Sequence, residues 1–310
     1  MSKVGATETG VGTAAVLTDG QSEGQPLVSI GLPVYNGERF LARSLASLLE
    51  QTYRNVEVIL SDNASTDGTA QICKQFVAED ARVRYSRLPH NIGGVGNHQR
   101  VRELARGEFF MWASGDDVWL PQYIETCMTV LRQSADVACV YTTNTIIDEQ
   151  LTVLRTLPAG PDLAAADPAE RFSRLTDIYI GIQPFYGVMR TAVVRKVRKL
   201  LRHPGFDRIF FAELGLHGRL VRIEQPLYLR CEHAQQSVGA YPSLRSRYLW
   251  INPGRTTKLA WPHFGYLAAF LAAALRAAPD MVTRIRCTLR MLRWCSWHRR
   301  ELLDDLLMRP

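Results

Sequence analysis

The 310-residue chain has six cysteines and no CxxC pair, so the spacing of a zinc centre or a dithiol redox site is absent. Several of Cys73, Cys127, Cys139, Cys231, Cys287 and Cys295 sit inside apolar runs, where a buried reduced thiol is expected and a cytosolic setting follows. The first residues carry one early Lys and then Gly, Thr, Ser and Gln, without the charged start and apolar middle of a secretory signal. Residues 1–25 are therefore expected to form a disordered tail. Phe264 to Leu275 is too short an apolar run for a bilayer span. Neither a Walker loop nor a GxGxxG fingerprint is present, which counts against kinase and dehydrogenase chemistry. No basic and aromatic recognition module appears, so nucleic acid is not an expected partner.

Hydrophobic residues make up 46% of the chain, ample for a core, and its length allows one large α/β domain with an appendage or two modest domains. The net charge of +7 is unevenly placed: residues 245–310 hold twelve Lys or Arg against four Asp or Glu, and residues 1–244 hold 25 against 26. Within the basic end, Val282, Ile285, Leu289 and Leu292 recur at helical spacing from Met281, while Arg286, Arg290 and Arg293 gather elsewhere on the same helix. Two readings stay open here: a helix packed on the main domain with solvated arginines, or docking on an anionic membrane surface.

From Pro26 onward, short apolar runs alternate with amphipathic segments. Leu27–Leu32 precedes a helical pattern over 40–50, Val56–Leu60 one over 69–77, Val83–Tyr85 one over 95–105, and Phe109–Ala113 one over 121–132. Repeated βα units predict an α/β fold with a mostly parallel sheet flanked by helices. Ligands of such sheets bind outside the carboxyl ends of the strands, so the polar sequences there belong to one site.

The richest of these is the end of the fourth strand, where Phe109-Phe110-Met111-Trp112-Ala113 runs into Ser114-Gly115-Asp116-Asp117. Adjacent carboxylates repel each other, so a strand ending this way is expected to meet solvent, a cationic partner or a hard divalent metal. The first strand ends in Pro33-Val34-Tyr35-Asn36-Gly37-Glu38, which offers a ring able to stack on a base and an Asn-Gly bend before a helix. The second ends in Asp62-Asn63-Ala64-Ser65-Thr66-Asp67, where Asp67 reads as a helix cap and Asp62 is free to accept a base N–H. His90-Asn91-Ile92-Gly93 follows the third.

The order of these motifs, with Asn97, resembles the nucleotide-sugar half of family 2 glycosyltransferases with the GT-A fold, strongly over residues 27–145 and more weakly to about 240. The resemblance implies donor contacts from Pro33, Tyr35, Asn36, Glu38, Asp62, Asn91, Ser114 and Asp117, and a divalent Mn2+ or Mg2+ held by Asp116 with His233. Ser114 departs from the family pattern, which has an acid there; its hydroxyl brings hydrogen bonding but no charge. Asp117 either meets the donor sugar or caps the next helix, and Glu38 either meets a ligand or favours the dipole of the first helix. In the second half, Gly205-Phe206-Asp207-Arg208 aligns Asp207 with the catalytic base, with Glu213 in reserve. The aromatics of Ile182-Gln183-Pro184-Phe185-Tyr186-Gly187 serve either an acceptor pocket or the core.

The organisation expected is a GT-A domain over 26–240, divided at 145 into nucleotide-sugar and acceptor halves, followed by a basic helical extension over 241–310. The implied activity is metal-dependent, inverting, hexosyltransferase-like transfer from a nucleotide-diphosphate sugar to a glycan or glycolipid hydroxyl, at the inner face of the plasma membrane. A sugar nucleotidyltransferase and a catalytically silent nucleotide-binding module are the alternatives.

Overall fold

The computed structural model describes residues 24–158, 160–177, 183–234, 243–252 and 261–307. Residues 1–23 of the expected tail, and Ile182 of the aromatic stretch, lie outside them.

Strands β1 (Val28–Val34), β2 (Val56–Asp62), β3 (Val83–Arg87) and β4 (Phe109–Trp112) lie in the order β3-β2-β1-β4 and are all parallel. Helices α1 (Leu41–Leu49), α2 (Thr69–Glu79) and α3 (Gly94–Leu104) follow the first three strands. β2 is buried throughout and β1 everywhere but Pro33, the pattern of strands covered on both faces.

Beyond β4 the sheet becomes mixed. β5 (Val118–Trp119), β6 (Val137–Ile147), β7 (Val153–Thr156), β8 (Val188–Arg190) and β9 (Arg219–Cys231) complete it. β8 runs antiparallel to β4 and β6, β7 to β6, and β5 to β9, while β6 and β9 pair in parallel. The parallel character expected from the βα alternation thus holds for the first half. From β6 to β7 there is only a tight turn closed by the Asp148 N–H to Thr152 carbonyl bond, too short for a crossover, so that pair must be antiparallel.

The remaining helices are α4 (Tyr123–Gln133), α5 (Pro168–Asp177), α6 (Thr191–Lys196), α7 (Phe206–His217), α8 (Leu244–Ile251), α9 (Pro262–Ala277), α10 (Met281–Trp297) and α11 (Arg299–Leu306). The C-terminal helices share one core with the sheet: Trp112, Phe210, Phe270 and Trp294 belong to a single buried cluster. α10, capped by Asp280 through the Thr283 N–H (2.8 Å), packs on α5 and α9 through Thr283, Cys287, Met291 and Trp294. Its apolar stripe of Val282, Ile285, Leu289 and Leu292 is exposed. The helix therefore does pack on the domain, but through the face opposite the one its hydrophobic period marks.

Glu57, on β2, ties the parallel half together. It accepts from Ser29 Oγ on β1 (2.6 Å), from the Arg106 N–H (2.9 Å) and from Arg84 on β3 (2.6 Å). Burial opposes its ionisation, but these donors outweigh that and hold the carboxyl below the usual carboxylate range. A depressed folded-state pKa contributes stability above the unfolded value of about 4.3, and that stability is lost as pH falls through the folded value. Glu57→Gln is expected to cost roughly 1–3 kcal/mol at neutral pH. In urea melts the gap between parent and variant should narrow as the solution is acidified.

Candidate active site

The carboxyl ends of β1 and β4 open onto a cleft of about 350 Å³. Pro33, Tyr35, Asn36, Ser114, Asp116, Asp117 and His233, all singled out from sequence, line it. Tyr35 is 50% exposed, its ring free to receive a planar ligand.

Glu38, Asp62, Asn91 and Asp207 are not among the lining residues. Three of them cross-link the loops behind the cleft. Glu38 accepts from the Gly68 N–H (2.9 Å) and its own N–H donates to Asp67 (3.1 Å), which joins the β1 and β2 loops. Asn36, at a φ of 50°, reinforces this join by accepting from the Thr66 N–H (2.9 Å). Asn91 accepts from Asn63 Nδ2 (2.8 Å) and from the Gly93 N–H (2.8 Å). Asp62 is fully buried: it accepts from the Ser65 N–H (2.8 Å) and the Tyr85 hydroxyl (2.9 Å) and lies 3.4 Å from Arg87 Nε. Glu38, Asp62 and Asn91, expected as donor contacts, thus each hydrogen-bond protein partners.

At the end of β4, the Ser114 hydroxyl donates to Asp116 Oδ1, and His233 Nε2 lies 2.9 Å from Asp116 Oδ2. The serine that replaces an acid thus orients Asp116. Burial works against the charge on Asp116, but the hydrogen bonds from His233 and Ser114 prevail and keep its carboxyl below the usual range. Asp117 behaves oppositely. Buried, and repelled by Asp116, it titrates well above an ordinary carboxylate, and it accepts from the Tyr228 hydroxyl and the Cys231 N–H (2.9 Å) on β9. It caps no helix.

Sequence inspection missed the support around these acids. Phe40 packs on the His233 ring (4.6 Å), with the Arg39 and Arg43 guanidiniums 5.0 and 5.5 Å from the Phe40 ring centroid. Arg43 also donates to the Asp116 carbonyl (3.4 Å). Arg39 and Phe40 line the cleft, as do His98 and Arg230. No motif marks them; only the place of Phe40 just before α1, beside the strand-end loop, was a signal.

On the acceptor side the aromatic stretch divides. Phe185 stacks on Trp112 (4.7 Å) in the core, whereas Tyr186 lines the cleft. His98, another lining residue, lies 5.5 Å from Phe206, the first residue of α7. Burial pushes its pKa down to about 4, so it is neutral, with Nδ1–H donating to the Gly94 carbonyl (2.9 Å). The next residue, Asp207, is half-buried, and burial raises its pKa. Glu213 is fully buried and ion-paired with Arg276, which removes the reserve base from the cleft.

No group of three or more His, Cys, Asp or Glu poised to hold a metal occurs among the described residues. Asp116 and His233 face each other across one hydrogen bond, and His233 Nδ1 is buried without a partner, so Nε2 is the ring atom turned to the cleft. Magnesium-like cations take one or two carboxylates and fill the remaining positions with water and phosphate oxygens. Asp116 and His233 are the two residues here that could hold such a cation, and they do not form a closed protein cage.

Residues 29–197 match the family model for glycosyl transferase family 2, more than half of the chain. The chain belongs to glycosyl transferase family 2. This family 2 chain is 37% identical over 125 residues to chondroitin synthase from Escherichia coli, covering 40% of the chain and 18% of that relative. It is 34% identical over 139 residues to the putative glycosyltransferase EpsE of Bacillus subtilis, covering 44% and 50%. The aligned segments therefore span half or less of these relatives. Staphylococcus aureus TarS 1–349, crystallised with UDP, superposes with a TM-score of 0.62 at 17% identity, over 88% of this chain and 73% of that one. The likeness shows the fold, which is GT-A as the resemblance implied.

Because Ser114 holds down the Asp116 pKa, Ser114→Ala is expected to raise it. A carbon-detected NMR titration of the Asp116 carboxyl checks this, and an unmoved titration would show that His233 alone sets the charge.

Proposed function

We propose that this family 2 chain is an inverting glycosyltransferase that moves a sugar from a nucleoside-diphosphate donor to a glycan or glycolipid hydroxyl in cell-envelope polysaccharide synthesis. The observation that carries the reading is Asp116: an ionised carboxylate at the carboxyl end of β4, fixed by Ser114 and His233 and open to a cleft walled by Tyr35 and Arg230. The polysaccharide direction is supported by the chondroitin synthase relative. A divalent Mn2+ or Mg2+ held by Asp116 and His233 would neutralise charge on the departing diphosphate.

Asp207 acts as the base. It takes the acceptor hydroxyl proton as that oxygen bonds to the anomeric carbon, and the electrons of the broken glycosyl bond leave with the diphosphate. A pKa raised by burial makes it a better proton acceptor than an exposed carboxylate, and also means that activity falls as pH drops through that raised value. What supports this role is its place in the first turn of α7, directly after Phe206, whose ring lies 5.5 Å from that of the cleft residue His98.

The test is a panel of nucleotide sugars screened by thermal shift and turnover, with UDP and UDP-GlcNAc first because TarS has been crystallised with both. A donor that binds only the folded state must raise the melting temperature. Asp116→Ala and Asp116→Asn are expected to lose metal-dependent donor stabilisation and turnover while remaining folded. Normal manganese-dependent activity in folded Asp116→Ala would overturn the metal assignment.

Asp207→Asn should bind donor and metal as the parent does and lose roughly two to four orders of magnitude in transfer rate. In the parent, the acid limb of the rate profile should lie above the usual carboxylate range, and the variant should lack it. Loss of donor affinity together with rate would move Asp207 into the nucleotide site. Donor binding by the parent without any transfer would favour the catalytically silent module.

A further inference from the structure

The side of α10 turned away from the domain is apolar. Ile285, Leu289 and Leu292 are 52%, 55% and 68% exposed, and with Val282 at 66% they follow at intervals of three and four residues that align them along one stripe. The buried contacts of the helix, Thr283, Cys287, Met291 and Trp294, lie on its other side. α10 carries four arginines and no acidic residue. Arg286 and Arg293 are exposed along one shoulder of the stripe, and Arg284 lies on the other.

We propose that this stripe is the surface by which the chain docks on an anionic lipid bilayer, with α10 lying in the plane of one leaflet. An outward apolar face bordered by arginines is the pattern of an interfacial helix: the side chains of the stripe enter the acyl boundary while the guanidiniums stay level with the lipid phosphates. Trp297, 54% exposed at the end of α10 with the Arg290 guanidinium 4.6 Å from its ring centroid, has the amphipathic ring that favours this depth. Charge selects a membrane over a second copy of the chain. A stripe-to-stripe dimer would gather the arginines of both α10 helices around one contact, where α10 has no acid and the domain's Asp167 is already paired with Arg286, whereas an anionic leaflet supplies counter-charge along the whole helix. Among the described residues no helix is long and apolar enough to cross a membrane, so α10 rests on the bilayer and does not span it.

The test compares the full chain with Ile285→Ser/Leu289→Ser/Leu292→Ser in co-sedimentation with vesicles of equal phosphatidylglycerol and phosphatidylethanolamine, and with vesicles of phosphatidylcholine alone. All three side chains are exposed, so the variant should melt as the parent does. Arg286 is left unchanged because it pairs with Asp167 (2.6 Å) on the domain. The parent is expected to bind the anionic vesicles, more weakly as salt rises, and hardly at all to the neutral ones. The triple variant should partition at least about tenfold less, and Arg293→Gln should weaken binding mainly at low salt. Absence of parent binding at low salt, or equal binding by parent and triple variant, overturns the proposal. So does sedimentation velocity showing a parent dimer that the triple variant splits.

Discussion

The geometry of the cleft depends on Asp117, a buried carboxylate of its lining. It follows Asp116 directly and hydrogen-bonds two points of β9, the Tyr228 hydroxyl and the Cys231 N–H. His233 comes two residues after Cys231, so fixing Asp117 to β9 brings the imidazole opposite Asp116 Oδ2. Together with the β5–β9 pairing, this one buried group sets in register two segments more than a hundred residues apart in sequence. Burying a carboxylate is costly, and these hydrogen bonds offset part of that cost while burial still drives its pKa upward. Of two adjacent acids, one is made structural so that the other can stay charged and open.

A second constraint comes from the C-terminal helices. The residues before α7 are clamped by α9: His203 Nε2–H donates to the Pro262 carbonyl (2.7 Å), and its Nδ1 accepts from the Gly205 N–H (3.1 Å). Burial pushes His203 down to about 4, so the neutral imidazole that can both donate and accept is the form present near neutral pH. The Tyr266 ring of α9 fills the space where a side chain at position 205 would stand, so glycine there lets the helices close. Asp207 begins two residues later. Through α9, the basic end of the chain is part of the scaffold that positions the first turn of α7.

The strands of the first half and their polar ends were legible because both signals are local: an apolar run of strand length, then acids or Asn-Gly. The acidic end of β4 could be read as a site for that reason. Which strand-end groups face the cleft could not, because that depends on bonds between loops about thirty residues apart. Asn36 meets Thr66, Glu38 meets Gly68, and Asp62 turns inward to Tyr85, contacts without a periodic or motif signature. The antiparallel returns of β7 and β8 were hidden likewise, since a strand of three or four residues carries too little pattern to show its direction. Phe40 and His98 entered the site through packing alone.

α10 shows the limit of amphipathic reading most clearly. A period of 3.6 says that a helix has two chemically different sides, not which of them is inside. Here volume and hydrogen bonding decide. Trp294 reaches the space beside Phe270 (6.1 Å between rings), and its Nε1–H donates to the Thr176 carbonyl at the end of α5 (3.2 Å). A leucine or valine could fill part of that volume but could not satisfy the carbonyl, and leaving a buried acceptor unpaired costs more than exposing an aliphatic side chain to water. The less apolar face is therefore the one that packs, and the more apolar face is left to whatever the helix meets from outside.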